Sequence, residues 1–338
     1  MRCSHLLTPL LEAQEVHIYT HLRGDPDSAS AFALAEALRQ LGKVVSVAHD
    51  LPEYLDWLIP EFPYTSTHSP HALKVAVDTG NYARLAFAQP ILERISQQIL
   101  RYGSESSIPT DDLWSIESID VVIDHHESNR GYGKINWVVP EASSTAELLT
   151  ELIQGLEQVT GRTLFSKEVC RQLYTGIISD TQWFKRDVTA QTYAMASMLE
   201  QRALIDKVAL YEQLEQRSIS YFRMGEMLRA NFKQYDDVLV SFLDLPTISQ
   251  LGISSEEAAQ TMEELERLPG RIFLLFIELP SGDIRVRLRG KGIPILPLAK
   301  QFDGGGHEFR AGATIHSFSQ MEDVITAAKH VLTEAISV

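Results

Sequence analysis

Four apolar segments in the first half of the chain have the composition of buried β-strands, and segments with a helical pattern separate them. The four segments are EVHIYTH (15–21), KVVSVAHD (43–50), ALKVAVDTG (72–80) and IDVVIDHH (119–126). Near-continuous apolar strands that alternate with helices are typical of a parallel sheet with helices on both faces. We therefore predict an α/β fold whose N-terminal domain contains a parallel sheet.

The length of the chain and a change of pattern beyond its middle predict a second domain. A chain of 338 residues exceeds what one typical small core needs. A region rich in Met, Leu, Glu and Gln predicts a helical connector, and three further strand patterns follow it. We predict an N-terminal domain over residues 1–188, a helical connector over 189–233 and a smaller α/β domain over 234–338. The segment 84–118 mixes helical and serine-rich stretches, and the sequence assigns it no role.

The charge and the cysteine content limit the functions open to the chain. The formal net charge of −15 argues against a protein that grips long duplex DNA, because such proteins neutralise phosphates with basic surfaces. Cys3 and Cys170 offer no disulfide framework, so a reducing cytoplasm is the expected location. No stretch approaches the ~18 consecutive apolar residues of a membrane helix, and we expect no membrane partner.

Acidic and histidine side chains follow the predicted strands at the point where each strand ends. In an open α/β sheet, ligands bind beyond the carboxyl ends of the strands. We therefore expect these side chains to converge on one edge of the sheet. They are His21, Asp25 and Asp27 after the first strand, Asp78 after the third, Asp124, His125 and His126 after the fourth, and Asp180 after a later apolar helix.

Such a set of residues predicts a metal centre. Carboxylates held close together repel one another unless cations intervene, and a mixture of Asp and His without thiolate suits Mn²⁺, Mg²⁺, Fe²⁺ or Zn²⁺. The number of donors exceeds what one ion needs, so we expect two ions about 3.5–4 Å apart. Each of these segments alone also has an ordinary structural explanation. Asp25 to Ser28, for example, could form a turn and a helix cap.

The predicted second domain carries a cluster of arginines and a run of glycines. In the strand IRVRLRG, Arg285, Arg287 and Arg289 alternate with apolar residues, so they lie on one face. In an acidic chain this indicates phosphate or carboxylate recognition, although a solvent-facing strand paired with surface acids explains the pattern equally well. The sequence Gly304-Gly305-Gly306-His307 predicts a loop whose backbone N–H groups allow close approach of an anion.

These motifs resemble those of one family. Asp124-His125-His126 is the motif that names the DHH phosphoesterases, and HLRGDPDS, VDTG, SDT and GGGH resemble the other motifs of that family, in the expected order. The resemblance covers residues from about 15 to 315. INWVVPEASSTAELL and FDGGGHEFRAGATI are similar to the two-domain branch that degrades very short RNAs and dephosphorylates 3'-phosphoadenosine 5'-phosphate. One departure concerns Gln182, which stands in SDTQWF where a glycine is commoner.

The resemblance implies roles for individual residues. His21, Asp25 and Asp78 would hold one metal ion, and Asp27, Asp78, His125 and Asp180 the other, with Asp78 shared. The family usually prefers manganese, and magnesium is the alternative. His126 would act as a catalytic group beside Asp124. The candidate substrate contacts, across a cleft between the domains, are Arg287, Arg289, Gly304, Gly305, Gly306, His307, Arg130 and Ser144.

The function expected from these observations is hydrolysis of short single-stranded RNA and of 3'-phosphoadenosine 5'-phosphate by a metal-bridging hydroxide. A phosphodiesterase acting on cyclic or linear dinucleotides is the enzymatic alternative, because it would use the same metal donors. A nucleotide sensor that binds metal without catalysis is an alternative of a different class. The sequence leaves open whether the chain forms a homodimer.

Overall fold

The computed structural model describes residues 3–59, 69, 71–102, 108–216, 219–253 and 255–336. The chain divides into two compact units, residues 1–214 and 215–338. Each unit contains one sheet, and each has an apolar core of its own. The helical residues predicted as a connector are shared between the two units.

The first unit contains a five-stranded parallel sheet in the order β2-β1-β3-β4-β5. Its strands are β1 (Glu15–Tyr19), β2 (Val44–Ala48), β3 (Leu73–Val77), β4 (Val121–Asp124) and β5 (Ile135–Val138). Its helices are α1 (Ser4–Glu12), α2 (Ala29–Gln40), α3 (Gln89–Tyr102), α4 (Thr110–Ile116), α5 (Thr145–Thr160), α6 (Lys167–Asp180), α7 (Ala190–Ala203) and α8 (Lys207–Glu215). The predicted parallel α/β sheet is confirmed.

Helices cover both faces of this sheet because successive side chains of each strand point to opposite faces. Val16, Ile18 and the alternate residues of β3 and β4 pack against α1, α2, α5 and α6. Tyr19, Ala76 and Val122 face the other way, toward apolar residues of α3 and α4. The segment 84–118, to which the sequence assigned no role, therefore supplies the cover of the second face; its residues 103–107 lie outside the described part of the chain.

The second unit contains a six-stranded mixed sheet in the order β10-β11-β9-β8-β7-β6. Its strands are β6 (Lys233–Tyr235), β7 (Val238–Leu243), β8 (Ile272–Glu278), β9 (Ile284–Gly290), β10 (Gly305–His307) and β11 (Arg310–Ile315). Its helices are α9 (Ile219–Asn231), α10 (Leu245–Leu251), α11 (Ser255–Gln260), α12 (Met262–Glu266), α13 (Leu296–Lys300) and α14 (Gln320–Ile336). Helices α13 and α14 pack on one face, whereas α9 to α12 pack on the other.

Two predictions about the strands are corrected. The sequence predicted four strands in the first sheet, and the edge strand β5 was missed because four residues after a glycine-containing loop are too few to show a period. Residues Gly304 to His307 were predicted as a loop, but three of them form β10, which pairs with β11 in a hairpin. Glycine weakens a strand pattern in sequence, and in this hairpin Gly305 lies opposite a second glycine, Gly312.

Candidate metal centre

The predicted residues of the first unit meet beyond the carboxyl ends of β1, β3 and β4. Two groups of three residues each bring one donor atom per residue to within 4.8 Å of the others. One group contains His21, Asp27 and Asp78, and the other contains Asp78, His125 and His126. Asp78 is therefore common to both groups, and it is the residue that the resemblance implies as a shared ligand.

Both candidate histidine ligands present the same ring nitrogen to the acids. Nδ1 of His21 lies 3.1 Å from the Leu22 carbonyl oxygen, and Nδ1 of His125 lies 3.2 Å from the Ala142 carbonyl oxygen. A proton on Nδ1 that is donated to a carbonyl leaves the lone pair on Nε2. Metal-binding histidines commonly have this arrangement, because the second hydrogen bond fixes the tautomer and the ring orientation.

The remaining acids surround those two Nε2 atoms. Nε2 of His21 lies 3.3 Å from Oδ1 of Asp27 and 3.6 Å from Oδ1 of Asp25. Nε2 of His125 lies 3.2 Å from Oδ2 of Asp180 and 3.8 Å from Oδ1 of Asp78. The structure thus brings all six predicted metal-binding residues together, and it places Asp27 beside His21, whereas the resemblance grouped Asp27 with His125.

Asp78 is held in an unusual backbone conformation. Its φ of +57° lies in the left-handed region, which aspartate adopts more readily than most residues but still at a cost. Its N–H donates to the Ile123 carbonyl oxygen, and its Oδ1 accepts a 2.7 Å hydrogen bond from Thr145 Oγ1. Its buried Oδ2 accepts no hydrogen bond from the described part of the chain. A buried carboxylate oxygen without a donor fits a cation ligand.

The carboxylates disturb one another electrostatically. Burial raises the pKa of Asp180 to about 7, with His125 opposing and Asp78 adding to the rise. Burial also raises the pKa of Asp27, and the nearby charges of Asp25 and Asp78 raise it further. Cations would relieve this repulsion, so the acids and the two available Nε2 atoms fit a site for divalent metal ions.

His126 differs from His125 in the partner of its Nδ1, which is a carboxylate and not a backbone carbonyl. Nδ1 of His126 lies 2.7 Å from Oδ1 of Asp124. Asp124 is completely buried and accepts further hydrogen bonds from the His125 N–H and from Asn129 Nδ2. Burial disfavours a charge on His126, yet the hydrogen bond and the charge of Asp124 raise the pKa of His126 to about 9. Asp124 is therefore a positioning residue, and a protonated His126 points its other N–H away from it.

Two of the predicted substrate contacts lie in the first unit. Ser144 is fully buried and caps α5, because its Oγ accepts a hydrogen bond from the Glu147 N–H. Its hydroxyl is thus used in a helix cap, and the predicted contact with a substrate stays a prediction. Arg130 is exposed in the loop after β4.

The other predicted substrate contacts lie in the second unit. Arg287 and Arg289 are on one face of β9, opposite to Val286 and Leu288, as the alternating pattern predicted. Two of the three glycines are needed for packing. The Gly304 N–H already donates to the Ala299 carbonyl oxygen, and a Cβ on Gly304 or Gly306 would lie within 2.6 Å of backbone oxygens. These two glycines allow close packing of the hairpin, whereas a Cβ on Gly305 would meet nothing within 4 Å.

Sequence reasoning missed the side chains that hold the candidate ligands in place. Thr145 donates to Asp78, Asn129 donates to Asp124, and Ser28 Oγ lies 3.3 Å from Nε2 of His21. The only signal was their place within the segments HLRGDPDS, HHESNR and ASSTAEL. Ser28 makes no side-chain cap of α2.

Comparison with known proteins finds matches over both units. Residues 15–177 match the DHH family, N-terminal domain, and residues 236–334 match the DHHA1 domain. The chain is 29% identical over 315 residues to the bifunctional oligoribonuclease and PAP phosphatase NrnA of Bacillus subtilis, covering 91% of each chain. It is 26% identical over 344 residues to the protein of the same name from Thermus thermophilus, covering 98% of this chain and 94% of the relative.

A solved structure shares the fold over nearly the whole chain. An exopolyphosphatase-related protein from Bacteroides fragilis has a TM-score of 0.75 at 22% identity, over 98% of this chain and 96% of that one. RecJ from Thermus thermophilus in complex with Mn²⁺ has a TM-score of 0.53 at 15% identity, over 99% of this chain and 54% of RecJ. The chain belongs to the DHH family and carries a DHHA1 domain. Among its described helices, none has the length and apolarity to cross a membrane.

Proposed function

We propose that this protein is a two-metal phosphoesterase that hydrolyses short RNA oligonucleotides to nucleoside monophosphates and 3'-phosphoadenosine 5'-phosphate to AMP. The observation that carries the proposal is the placement of Asp78 in two donor groups, with one histidine Nε2 facing each group. The relatives named oligoribonuclease and PAP phosphatase support the choice of substrates.

The proposed ligands are the six residues that the structure brings together. His21, Asp25 and Asp27 belong to one ion, His125 and Asp180 to the other, and Asp78 to both. Manganese is the proposed metal, with magnesium as the alternative, because the donor set lacks thiolate. When bound, such a pair of ions lowers the pKa of a coordinated water and stabilises negative charge on phosphoryl oxygens.

The protein's own residues would orient the substrate and move a proton. His126 is protonated at neutral pH because Asp124 raises its pKa to about 9, and its Nε2–H is the proposed donor to the leaving oxygen. General acid catalysis of this kind contributes roughly 10²–10⁴-fold. Arg287, Arg289 and His307 are proposed to bind a substrate phosphate, and Arg130 is retained as a further proposed contact.

The proposed setting is the cytoplasm, with short single-stranded RNA or a nucleotide bisphosphate as substrate and no membrane partner. Cys3 and Cys170 are both buried and neither forms a disulfide, which suits a reducing compartment. A homodimer is compatible with this proposal and is not needed for it, because the candidate ligands all come from one chain.

The test is hydrolysis of an end-labelled RNA dinucleotide and of 3'-phosphoadenosine 5'-phosphate, with Mn²⁺ present and after chelation. We expect metal-dependent release of mononucleotide from both substrates. Turnover of neither, while cyclic dinucleotides are hydrolysed, would replace the substrate assignment. Binding of nucleotide without any product would point to a sensor.

A further inference from the structure

The beginning of α5 contacts candidate ligands on both sides of the metal centre. The Ala142 carbonyl oxygen, shortly before this helix, accepts a 3.2 Å hydrogen bond from Nδ1 of His125. Thr145, the first residue of the helix, donates a 2.7 Å hydrogen bond to Oδ1 of Asp78. The position of this turn therefore determines how His125 and Asp78 are oriented. Whatever holds the turn in place also acts on the centre.

A buried carboxylate lies in the same turn. Glu147 has only 3% of its surface exposed. Its Oε2 accepts two hydrogen bonds, one of 2.9 Å from Ser143 Oγ and one of 2.8 Å from Thr192 Oγ1. Because Thr192 belongs to the first turn of α7, the carboxylate joins the beginnings of two helices. A buried carboxylate is costly unless it is hydrogen-bonded, and a negative charge is favoured at the N-terminal end of a helix.

The usual role of a glutamate at this place in a helix is a different one. Ser144 is the N-cap of α5 and Glu147 is the third residue of the helix, which is the spacing of a capping box. In such a box the glutamate carboxylate accepts the backbone N–H of the cap residue. Within the described residues, the carboxylate instead accepts the hydroxyls of Ser143 and Thr192. The side chain thus connects α5 to α7 and does not close the end of its own helix.

The partner on α7 is itself held firmly. Thr192 is fully buried, and its Oγ1 accepts the Thr189 N–H at 3.0 Å as half of the capping box of α7. Since an ionised carboxylate only accepts, the hydroxyl proton of Thr192 is the one donated to Glu147. A buried network whose members are hydrogen-bonded makes the surrounding structure rigid. The region predicted as a connector therefore begins with a helix that is tied to the turn beside the metal centre.

We propose that Glu147 is a positioning residue that fixes the first turn of α5 against α7. In this position the turn holds the two groups that orient His125 and Asp78. Loss of the contact between Glu147 and Thr192 therefore weakens metal binding, although neither residue is one of the six proposed ligands. The inference rests on the proposed function and deepens it, because it names a residue that prepares two ligands for the ions.

The test is calorimetric titration of the full-length protein with Mn²⁺. Thr192→Val keeps the shape of the side chain and removes the hydroxyl, and we expect Mn²⁺ affinity to weaken by about 10-fold, the lower end of the range for groups that support a metal ligand. Thr192→Ser keeps the hydroxyl and the affinity. Glu147→Gln replaces charge-assisted hydrogen bonds by weaker ones, and we expect a loss of similar size. In the double variant the two losses do not add, because both substitutions act on one hydrogen bond.

A matched control separates positioning from the stability of α7. Thr189→Ala removes the Oγ1 that accepts the Thr192 N–H and keeps the hydroxyl of Thr192. It loosens the same helix end, and we expect Mn²⁺ affinity to stay unchanged. Equal weakening in Thr189→Ala and Thr192→Val overturns the inference. Unchanged affinity in Thr192→Val and Glu147→Gln, or additive losses in the double variant, overturns it as well.

The same titration distinguishes this inference from the proposed function. If the wild-type protein binds Mn²⁺ but hydrolyses neither the RNA dinucleotide nor 3'-phosphoadenosine 5'-phosphate, the proposed function fails. The affinities of the variants then still decide the role of Glu147. If the wild-type protein does not bind Mn²⁺, both the proposed metal centre and the role of Glu147 fail.

Discussion

The two units place side chains of opposite charge on sheets of different construction. The parallel sheet of the first unit collects acids and histidines at its carboxyl edge, so residues as distant as Asp78 and Asp180 both lie beside His125. The mixed sheet of the second unit presents arginines on the face of one hairpin and its neighbouring strand. The carboxyl edge of a parallel sheet brings together side chains that are distant in sequence, whereas one face of a strand aligns side chains that are two residues apart. The first arrangement suits metal ions, and the second suits a phosphate.

The largest expected effect comes from the shared carboxylate. Asp78→Ala removes a ligand proposed for both ions, and we expect kcat to fall by roughly 10⁴-fold because the groups of such a centre act as a unit. Asp120→Ala is the matched control, since Asp120 lies at the amino end of β4 and contacts Lys74 and Lys134. Steady-state kinetics with Mn²⁺ measures both variants. Substantial activity in Asp78→Ala would refute the shared-ligand assignment.

The second prediction concerns protonation of His126. The raised pKa means that the charged pair with Asp124 stabilises the fold below the unfolded pKa of about 6.5, and that this contribution is lost as the pH rises through about 9. Asp124→Asn removes the partner charge, so we expect the pKa of His126 to fall by about 1–3 units and kcat to fall by roughly 10²-fold. Histidine NMR titration of the metal-free protein measures the pKa. An unchanged titration would show that Asp124 does not control His126.

The third prediction tests whether Thr145 positions Asp78. Thr145→Val keeps the shape of the side chain but removes the hydrogen bond to Asp78, so we expect Mn²⁺ affinity to weaken by about 10- to 100-fold. Thr145→Ser keeps the hydroxyl and restores the affinity. Thr150→Val makes the same chemical change in the same helix, where the hydroxyl bonds only the Ala146 carbonyl oxygen. Calorimetric Mn²⁺ titration compares the three, and equal affinity in Thr145→Val and Thr150→Val would exclude the positioning role.

A substitution in the second unit should weaken substrate binding and leave the metal centre intact. Arg289→Ala removes a proposed phosphate contact, so we expect KM for the RNA dinucleotide to rise by about 10- to 100-fold. Mn²⁺ affinity and kcat stay close to those of the wild-type protein. Arg267→Ala is the control, because it removes a guanidinium of the same unit whose side chain is 73% exposed. A collapse of kcat or loss of metal in Arg289→Ala would contradict the division of tasks between the two units.

The smallest expected effect lies in the turn after α6. Gln182, Trp183 and Phe184 all have positive φ, between 48° and 64°, which is costly for residues with a side chain. Glycine adopts this conformation freely, so Gln182→Gly should raise the free energy of unfolding by about 1 kcal/mol. Gln154→Gly, inside α5, should lower it by a similar amount. Thermal denaturation measures both, and a decrease in both variants would show that backbone strain does not dominate at Gln182.

The sequence could predict which side chains meet at the edge of the first sheet, because apolar strands and the titratable residues after them are local signals. Their assignment as metal ligands stays a prediction. The sequence could not predict Thr145 or Asn129, because their importance depends on contacts with Asp78 and Asp124 that form only in the folded chain. It misread the glycine-rich hairpin for a related reason. The pairing of Gly305 with Gly312, and hence the place of Arg310 beside Arg289, is a property of register between strands.

The positive φ angles in the turn after α6 determine which substitutions the protein tolerates there. At Gln182 the left-handed backbone determines which residues are tolerated. Glycine and asparagine should therefore be accepted more readily than larger residues, whether those are polar or apolar. Trp183 and Phe184 share the same backbone conformation, but their rings pack on Tyr211 and Tyr193. A library covering the three positions should therefore enrich small residues at the first and aromatic residues at the next two. Positions 182, 183 and 184 share one backbone conformation, yet they would then retain different types of residue in the same selection.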